Sequence, residues 1–267
     1  MAIPARVAQR MTAALKQYQP ILNSARARDC NESDTVVIVT DVLADLFGYD
    51  KYTEITSEYS IRGTYCDLVI KIADVIRIVI EIKAIGTDFR DTHIRQALDY
   101  AANQGVEWVI LTNGVKWRVY QVIFGKPIEA RQVAEIDLLE ISANQSGCQE
   151  LLYLLTREGI EKNVLDDFVC HHEATSRHLI AAIVVSDEVL KAIRREMRRV
   201  NPDVKVDTDE IREKLVQEVL RRETLEGDEA ENARRRVCKA GARQLRRRPA
   251  KAECREDEEA IAAAGDD

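Results

Sequence analysis

The sequence lacks long hydrophobic runs, paired cysteines and glycine-rich loops, and each absence removes a class of protein. The longest uninterrupted aliphatic stretch in the 267 residues is Leu179–Val185, far below the roughly 20 residues that cross a bilayer. Met1–Gln19 carries Arg6, Arg10 and Lys16 among small and apolar residues. It lacks the continuous apolar stretch and cleavage site of a secretory signal, and reads instead as an amphipathic helix. Cys30, Cys66, Cys148, Cys170, Cys238 and Cys254 are scattered without a CxxC pair. That is the usage of a reducing compartment, not of a disulfide scaffold or a structural zinc site, so a soluble cytosolic protein is expected. Gly86 and Gly105 stand alone, so there is no phosphate-cradling loop, no ATPase motor and no fold for an adenine–methionine cofactor. Nor is there an excess of positive charge. Lys+Arg total 39 against 46 for Asp+Glu, a net charge of −7, which excludes a uniformly basic nucleic-acid binder. A local basic site is still allowed, because the two signs segregate along the chain. No internal repeat is present.

What is there divides into three zones. Residues 1–130 alternate helix-like and strand-like patterns, residues 131–226 look almost entirely helical, and residues 227–267 look poorly ordered. That last zone holds nine basic residues and no acid from Arg234 to Lys251, then seven acids and one arginine from Glu253 to Asp267. A solvated, partly self-neutralising tail is the plain reading; an arm that contacts DNA phosphates is the sharper one.

In the first zone Val36–Phe47 has apolar residues at helical spacing, with Asn31, Ser33 and Asp34 available as N-caps and Gly48 as a stop. Lys51–Ser57, Tyr65–Ile72 and Val75–Ile82 are strand candidates. Asp91–Asn103 reads as a helix ending near Gly105. Trp108–Thr112 and Val115–Phe124 are strands joined by Asn113-Gly114, a strong hairpin signal. The order α-β-β-β-α-β-β predicts an α/β fold, a mixed central sheet flanked by helices. Farther along, Ser186 precedes a helix over Val189–Arg199. Asp207 with Glu210 resembles a capping box before a helix over Ile211–Glu223.

The stretch from Asp67 to Lys83 carries the chemistry. If Tyr65–Ile72 and Ile76–Lys83 form a hairpin with a three-residue loop, Ala73-Asp74-Val75, the numbers of paired residues sum to 148 and Asp67 lies opposite Glu81. One face then presents Leu68, Ile70, Ile72, Ile76, Ile78, Ile80 and Ile82, suited to a core. The other brings Asp67, Glu81 and Lys83 together at one end, with opposed Cβ atoms roughly 4.5–5.5 Å apart. A two-residue loop would break this alignment. Two opposed carboxylates repel unless a cation lies between them, and a hard divalent ion such as Mg²⁺ resolves the conflict. Lys83 can hold an attacking water or a phosphoryl oxygen. Together these are the parts for metal-assisted phosphodiester hydrolysis. A solvent-facing strand with mixed charges is the plainer alternative. Against it, Glu81 and Lys83 end an aliphatic run of the buried-strand type, where unpaired charge is costly.

Asp67 followed by Glu81-Ile82-Lys83 resembles the D…(D/E)-x-K signature of the PD-(D/E)XK nuclease superfamily, with Cys66 where the signature has Pro. Gln96-Ala-Leu-Asp-Tyr100 looks like the Q-x-x-x-Y motif of RecB-type members. Asn31-Glu-Ser-Asp-Thr35 and Trp108–Trp117 are similar to segments of the N-terminal nuclease domain of type I restriction enzyme R subunits. The resemblance covers about residues 30–125, and more loosely Ser186–Glu223. It implies that Asp67, Glu81 and the Ile82 carbonyl bind Mg²⁺, with Mn²⁺ able to substitute, and that Lys83 positions the water. It also implies an auxiliary acid in Glu32, and Gln96 and Tyr100 facing the metal and the phosphate backbone. Read without it, Gln96 and Tyr100 suit an ordinary helix face, and Glu32 suits a helix first turn.

Other clusters carry less. Cys170-His171-His172-Glu173 with His178 lacks the spacing of a zinc site. His93, on the surface of the helix that holds Gln96, could contact DNA but more simply stands idle. Arg194, Arg195, Arg198 and Arg199 suit either phosphate binding or a solvated face. The resulting expectation is a Mg²⁺-dependent DNA nuclease, an endonuclease in restriction or phage defence. DNA would be its substrate, a homodimer could form through the helical extension, and a separate motor or specificity partner could join it. The rival is a non-catalytic adaptor on the same fold that binds nucleic acid or protein, which the acidic balance suits.

Overall fold

A computed structural model describes residues 2–61, 64–125, 127–142 and 145–243. Contacts divide the chain into two compact units, Met1–Val169 and Cys170–Asp267.

The first unit is built on a six-stranded mixed sheet in the order β1-β2-β3-β4-β5-β6. Its strands are β1 Ile55–Ile61, β2 Thr64–Ile72, β3 Val75–Ile82, β4 Trp108–Thr112, β5 Lys116–Ile123 and β6 Glu129–Asp137. Only β3 and β4 run parallel, because helix α3, Asp91–Gln104, lies between them in sequence as a crossover. Gly105 ends α3 in the left-handed conformation, φ 68°, as its place after the last helical turn predicts. One face of the sheet buries Leu68, Ile70, Ile72, Ile78, Ile80 and Ile82 in a large core with α1, Ala5–Ala27, and α2, Glu32–Asp45. The same core takes in Leu152–Leu155, Ile160 and Leu165 from α4, Ser146–Tyr153, α5, Arg157–Glu161, and α6, Val164–Ala174. The other face buries Val69, Val79, Val109 and Leu111 under α3. The expected aliphatic face is thus present, with Ile76 as its exception: Ile76 packs against the second cluster.

The exception has a local cause. The β2–β3 turn has two residues, Ala73 and Asp74, both at positive φ (51° and 63°), not three. Such a turn sets Lys71 against Ile76, a sum of 147. A bulge at Arg77 then restores 148, pairing Ile70 with Ile78 and Leu68 with Ile80. Two departures cancel, and the predicted register holds in the half of the hairpin that leads to Asp67 and Glu81.

Other boundaries moved. Asn31 caps α2, its side chain accepting from the Asp34 N–H, as expected. Residues 51–54 form turns and the first strand begins only at Ile55. β6 lies where a helical zone was expected, so the division near residue 130 falls inside a strand. It is an edge strand with charged residues, and of its side chains only Ala134 and Ile136 are buried, so its hydrophobic signal is weak. The β4–β5 hairpin forms, but only Gly114 of the Asn-Gly pair has a positive φ, 81°. The loop is Gly114-Val115, closed by Asn113 N–H donating to the Lys116 carbonyl at 3.3 Å.

Arg10 of α1 ties this unit together. It makes two 2.7 Å bonds to the Glu158 carboxylate of α5 and donates to the carbonyls of Leu46 and Phe47. The guanidinium holds the Glu158 carboxyl below its ordinary 4.5. A depressed carboxyl stabilises the fold above its unfolded value and loses that contribution as pH falls through the folded one. Glu158→Gln should therefore cost about 1–2 kcal/mol at pH 7, a modest figure because both side chains keep some solvent. Thermal melts of the two proteins should converge as pH falls below about 4; a gap of constant size would rule out the ionic origin.

The second unit is helical: α7 Arg177–Val184, α8 Asp187–Val200, α9 Thr208–Lys214 continuing into a π turn over Leu215–Val219, and α10 over residues 228–243. The first part of the expected disordered tail is therefore helix; residues 244–267 lie outside the described residues. Asp207 precedes α9 without a side-chain cap bond; it stands 3.8 Å from Arg194 instead, so the expected capping box is not formed. His178 is buried and bonds Glu229 at 2.9 Å and the Thr224 carbonyl at 3.3 Å, which fastens α10 to α7.

Candidate active site

Asp67 sits one residue beyond the last β2–β3 pair. There the two strands stop exchanging backbone bonds and the side chain takes over. The Ile82 N–H donates to Asp67 Oδ2 at 2.6 Å. Glu81 is 5% exposed and its Oε1 lies 2.8 Å from Lys83 Nζ. Glu32, in the first turn of α2, lies 3.5 Å from the same ammonium. Four expected site residues, Asp67, Glu81, Lys83 and Glu32, thus converge at the C-terminal end of β3. The Lys83 backbone is fixed as well, its N–H donating to the Thr112 carbonyl at 2.9 Å.

The electrostatics follow from burial. Burial pushes the Asp67 carboxyl up, the Ile82 N–H and Lys83 pull it down, and Glu32 adds to the rise; the net direction is upward. Glu81 is also raised, first by burial, against the hydrogen bond from Lys83 and with the Asp67 and Glu32 charges adding. Burial alone would lower Lys83, but the bond to Glu81 and the three carboxylates outweigh it and raise the ammonium. The site therefore holds more negative charge than its one lysine balances, in a partly dry setting. Burial, with Asp67 and Glu81 beside it, pushes the Cys66 thiol up to about 12. The donors are all hard oxygens, which suits Mg²⁺. Among the described residues no three His, Cys, Asp or Glu side chains form a metal cage alone. A cation here would rest on Asp67, Glu81 and a backbone oxygen such as that of Ile82, with water completing its shell.

The expected helix residues separate. Tyr100 is fully buried under α3 among Cys66, Val69 and Val79, whereas Gln96, one turn earlier, is exposed. Their neighbour His93 accepts the Arg90 N–H at 3.3 Å and so serves the helix start. In the second unit Arg199 pairs with Glu196 at 2.8 Å, as a solvated face does. The role of Thr112 was not legible in sequence, since a backbone carbonyl has no side-chain signature.

Residues 38–136 match the family model of the type I restriction enzyme R protein N terminus (HSDR_N). The match takes in Asp67, Glu81, Lys83, Gln96 and Tyr100, all of β1–β5 and all but the last residue of β6. Glu32 precedes it. No curated protein and no solved structure matches the chain. Among the described residues no helix is long and apolar enough to cross a membrane.

Proposed function

We propose that the chain is a metal-dependent deoxyribonuclease of a restriction or phage-defence system. The convergence of Asp67, Glu81 and Lys83 carries the reading, and the match to the type I restriction enzyme R protein N terminus supports it. Asp67, Glu81 and the Ile82 carbonyl would hold Mg²⁺, or Mn²⁺ in its place. The bound ion supplies a Lewis acid that acidifies water and neutralises charge building on the phosphate. Lys83 donates a hydrogen bond to the attacking water or to a non-bridging oxygen. Glu81 aims that ammonium through the 2.8 Å contact. Water adds to phosphorus and loses a proton to solvent. The P–O3′ bond breaks in line, and the 3′ oxygen takes up a proton, leaving a 3′-hydroxyl and a 5′-phosphate. Gln96, exposed on α3, would face the phosphate backbone; buried Tyr100 supports the helix that carries it.

The deciding experiment is cleavage of supercoiled, linear and branched DNA by the purified protein in Mg²⁺, Mn²⁺ or chelator, beside Lys83→Ala. Metal-dependent cutting should fall at least about a hundredfold in the variant. A folded protein that neither cuts nor binds metal would favour the non-catalytic adaptor, for which the two carboxylates on Lys83 would be a plain ion-pair cluster.

The second unit would bring two copies together. The apolar stripe of α8 is buried at Leu190 and emerges at Met197 and Val200, 69% exposed; the next is buried at Ile211 of α9 and emerges at Val219, at the end of the π turn, 66% exposed. Stripes this exposed suit an interface. Light scattering should give a dimer mass that Met197→Glu with Val219→Glu reduces to a monomer; a monomer at every concentration of the parent protein would end this reading. A separate motor or specificity subunit would be a further partner.

A further inference from the structure

We propose that Asn113 is a positioning residue for the Asp67–Glu81–Lys83 site: its carboxamide clamps the loop that leads from Lys83 to α3. The inference rests on the nuclease reading above. Asn113 is 6% exposed and uses its amide in two directions. Oδ1 accepts from the Val115 and Lys116 N–H groups, at 3.1 and 2.8 Å, which caps the β4–β5 turn. Nδ2 donates to the carbonyls of Ile85 and Thr87, at 3.2 and 3.1 Å, across to the loop.

Only the first pair belongs to an ordinary turn. Asp or Ser would cap it as well, but neither brings two N–H groups to the loop carbonyls. The residue before Asn113 holds the residue at the start of that loop, Thr112 carbonyl to Lys83 N–H at 2.9 Å. Successive residues at the end of β4 therefore pin successive parts of the Lys83 connection. The loop also has close neighbours elsewhere. Arg118 of β5 lies over the Phe89 ring at 5.2 Å, and a Cβ on Gly86 would stand 2.6 Å from Asp29 Oδ1. A loop bonded in this way to the end of β4 holds the Lys83 backbone where its ammonium meets Glu81, and displacements of about 1 Å at such a site can cost about a hundredfold in rate.

Asn113→Asp keeps the turn cap and removes the loop donors, and Asn113→Ser does the same with a smaller group. In either variant kcat for DNA cleavage should fall about ten- to a hundredfold with KM within about twofold. Hydrogen exchange of amides 84–90 should speed up. Unchanged kcat, a loss confined to KM, or unfolding of both variants would overturn the proposal. If the parent protein does not cut DNA, the nuclease reading fails by itself, and unaltered exchange at 84–90 would then separately dismiss the clamp.

Discussion

Asp67→Asn should abolish metal-dependent cleavage, by about a thousandfold or more, without destabilising the metal-free protein. The substitution is nearly isosteric, and the amide oxygen can still accept the Ile82 N–H that Asp67 now takes at 2.6 Å. What disappears is a charge that burial disfavours and that shares its surroundings with Glu81 and Glu32. Removing a buried charge of that kind typically returns stability, here about 1 kcal/mol, which is the usual exchange between stability and activity at a working site. The melting temperature of the variant in chelator should therefore equal or exceed that of the parent. Magnesium should separate the two proteins the other way. A ligand at a hundred times its Kd stabilises a fold by about 2.7 kcal/mol, and the variant should gain almost none of it. If Mg²⁺ raised both melting temperatures equally, the ion would be binding elsewhere and Asp67 would not be its ligand.

Trp117→Ala should cost about 3–5 kcal/mol, a large part of the 5–15 kcal/mol that holds an ordinary domain together. The ring is fully buried on β5. It meets Phe47 edge to face, with centroids 5.2 Å apart at 70°, and its Nε1–H donates to the Gly114 carbonyl at 3.0 Å. Alanine leaves a cavity between α2 and the sheet and removes both contacts. Trp117→Phe keeps most of the volume and should cost about 1–2 kcal/mol, mainly the lost hydrogen bond. Urea denaturation measures both, with the remaining tryptophan, Trp108, as reporter. Because Trp117 pairs with Thr112 across the hairpin, the alanine variant should also loosen the strand end that holds Lys83. A loss under about 1 kcal/mol would show that the ring is not part of the core that supports the hairpin.

How much of this the sequence contains depends on the range of the interaction. Alternation along β2 and β3 is local, and it placed Leu68, Ile70, Ile78 and Ile80 on one face and Asp67, Glu81 and Lys83 at one end. Capping is local too, and it located Asn31 before α2 and Gly105 after α3. The β2–β3 turn was misread because Ala73 and Asp74 adopt a conformation that usually advertises itself with Asn or Gly. The register still came out right where it matters, since the bulge at Arg77 offsets the shorter turn. β6 was missed because an edge strand can carry charges that a central strand cannot.

Local pattern along the chain sets the class of fold, the faces of the strands and the identity of the acidic pair. Those follow from side-chain period and from the cost of ending an aliphatic run in charge. Only the folded chain brings out that Tyr100 is buried while Gln96 is exposed, and that the Thr112 carbonyl and the Asn113 amide hold the connection behind the lysine. Each of these joins residues distant in the chain through bonds only a few ångströms long, and no local periodicity specifies which distant groups will meet.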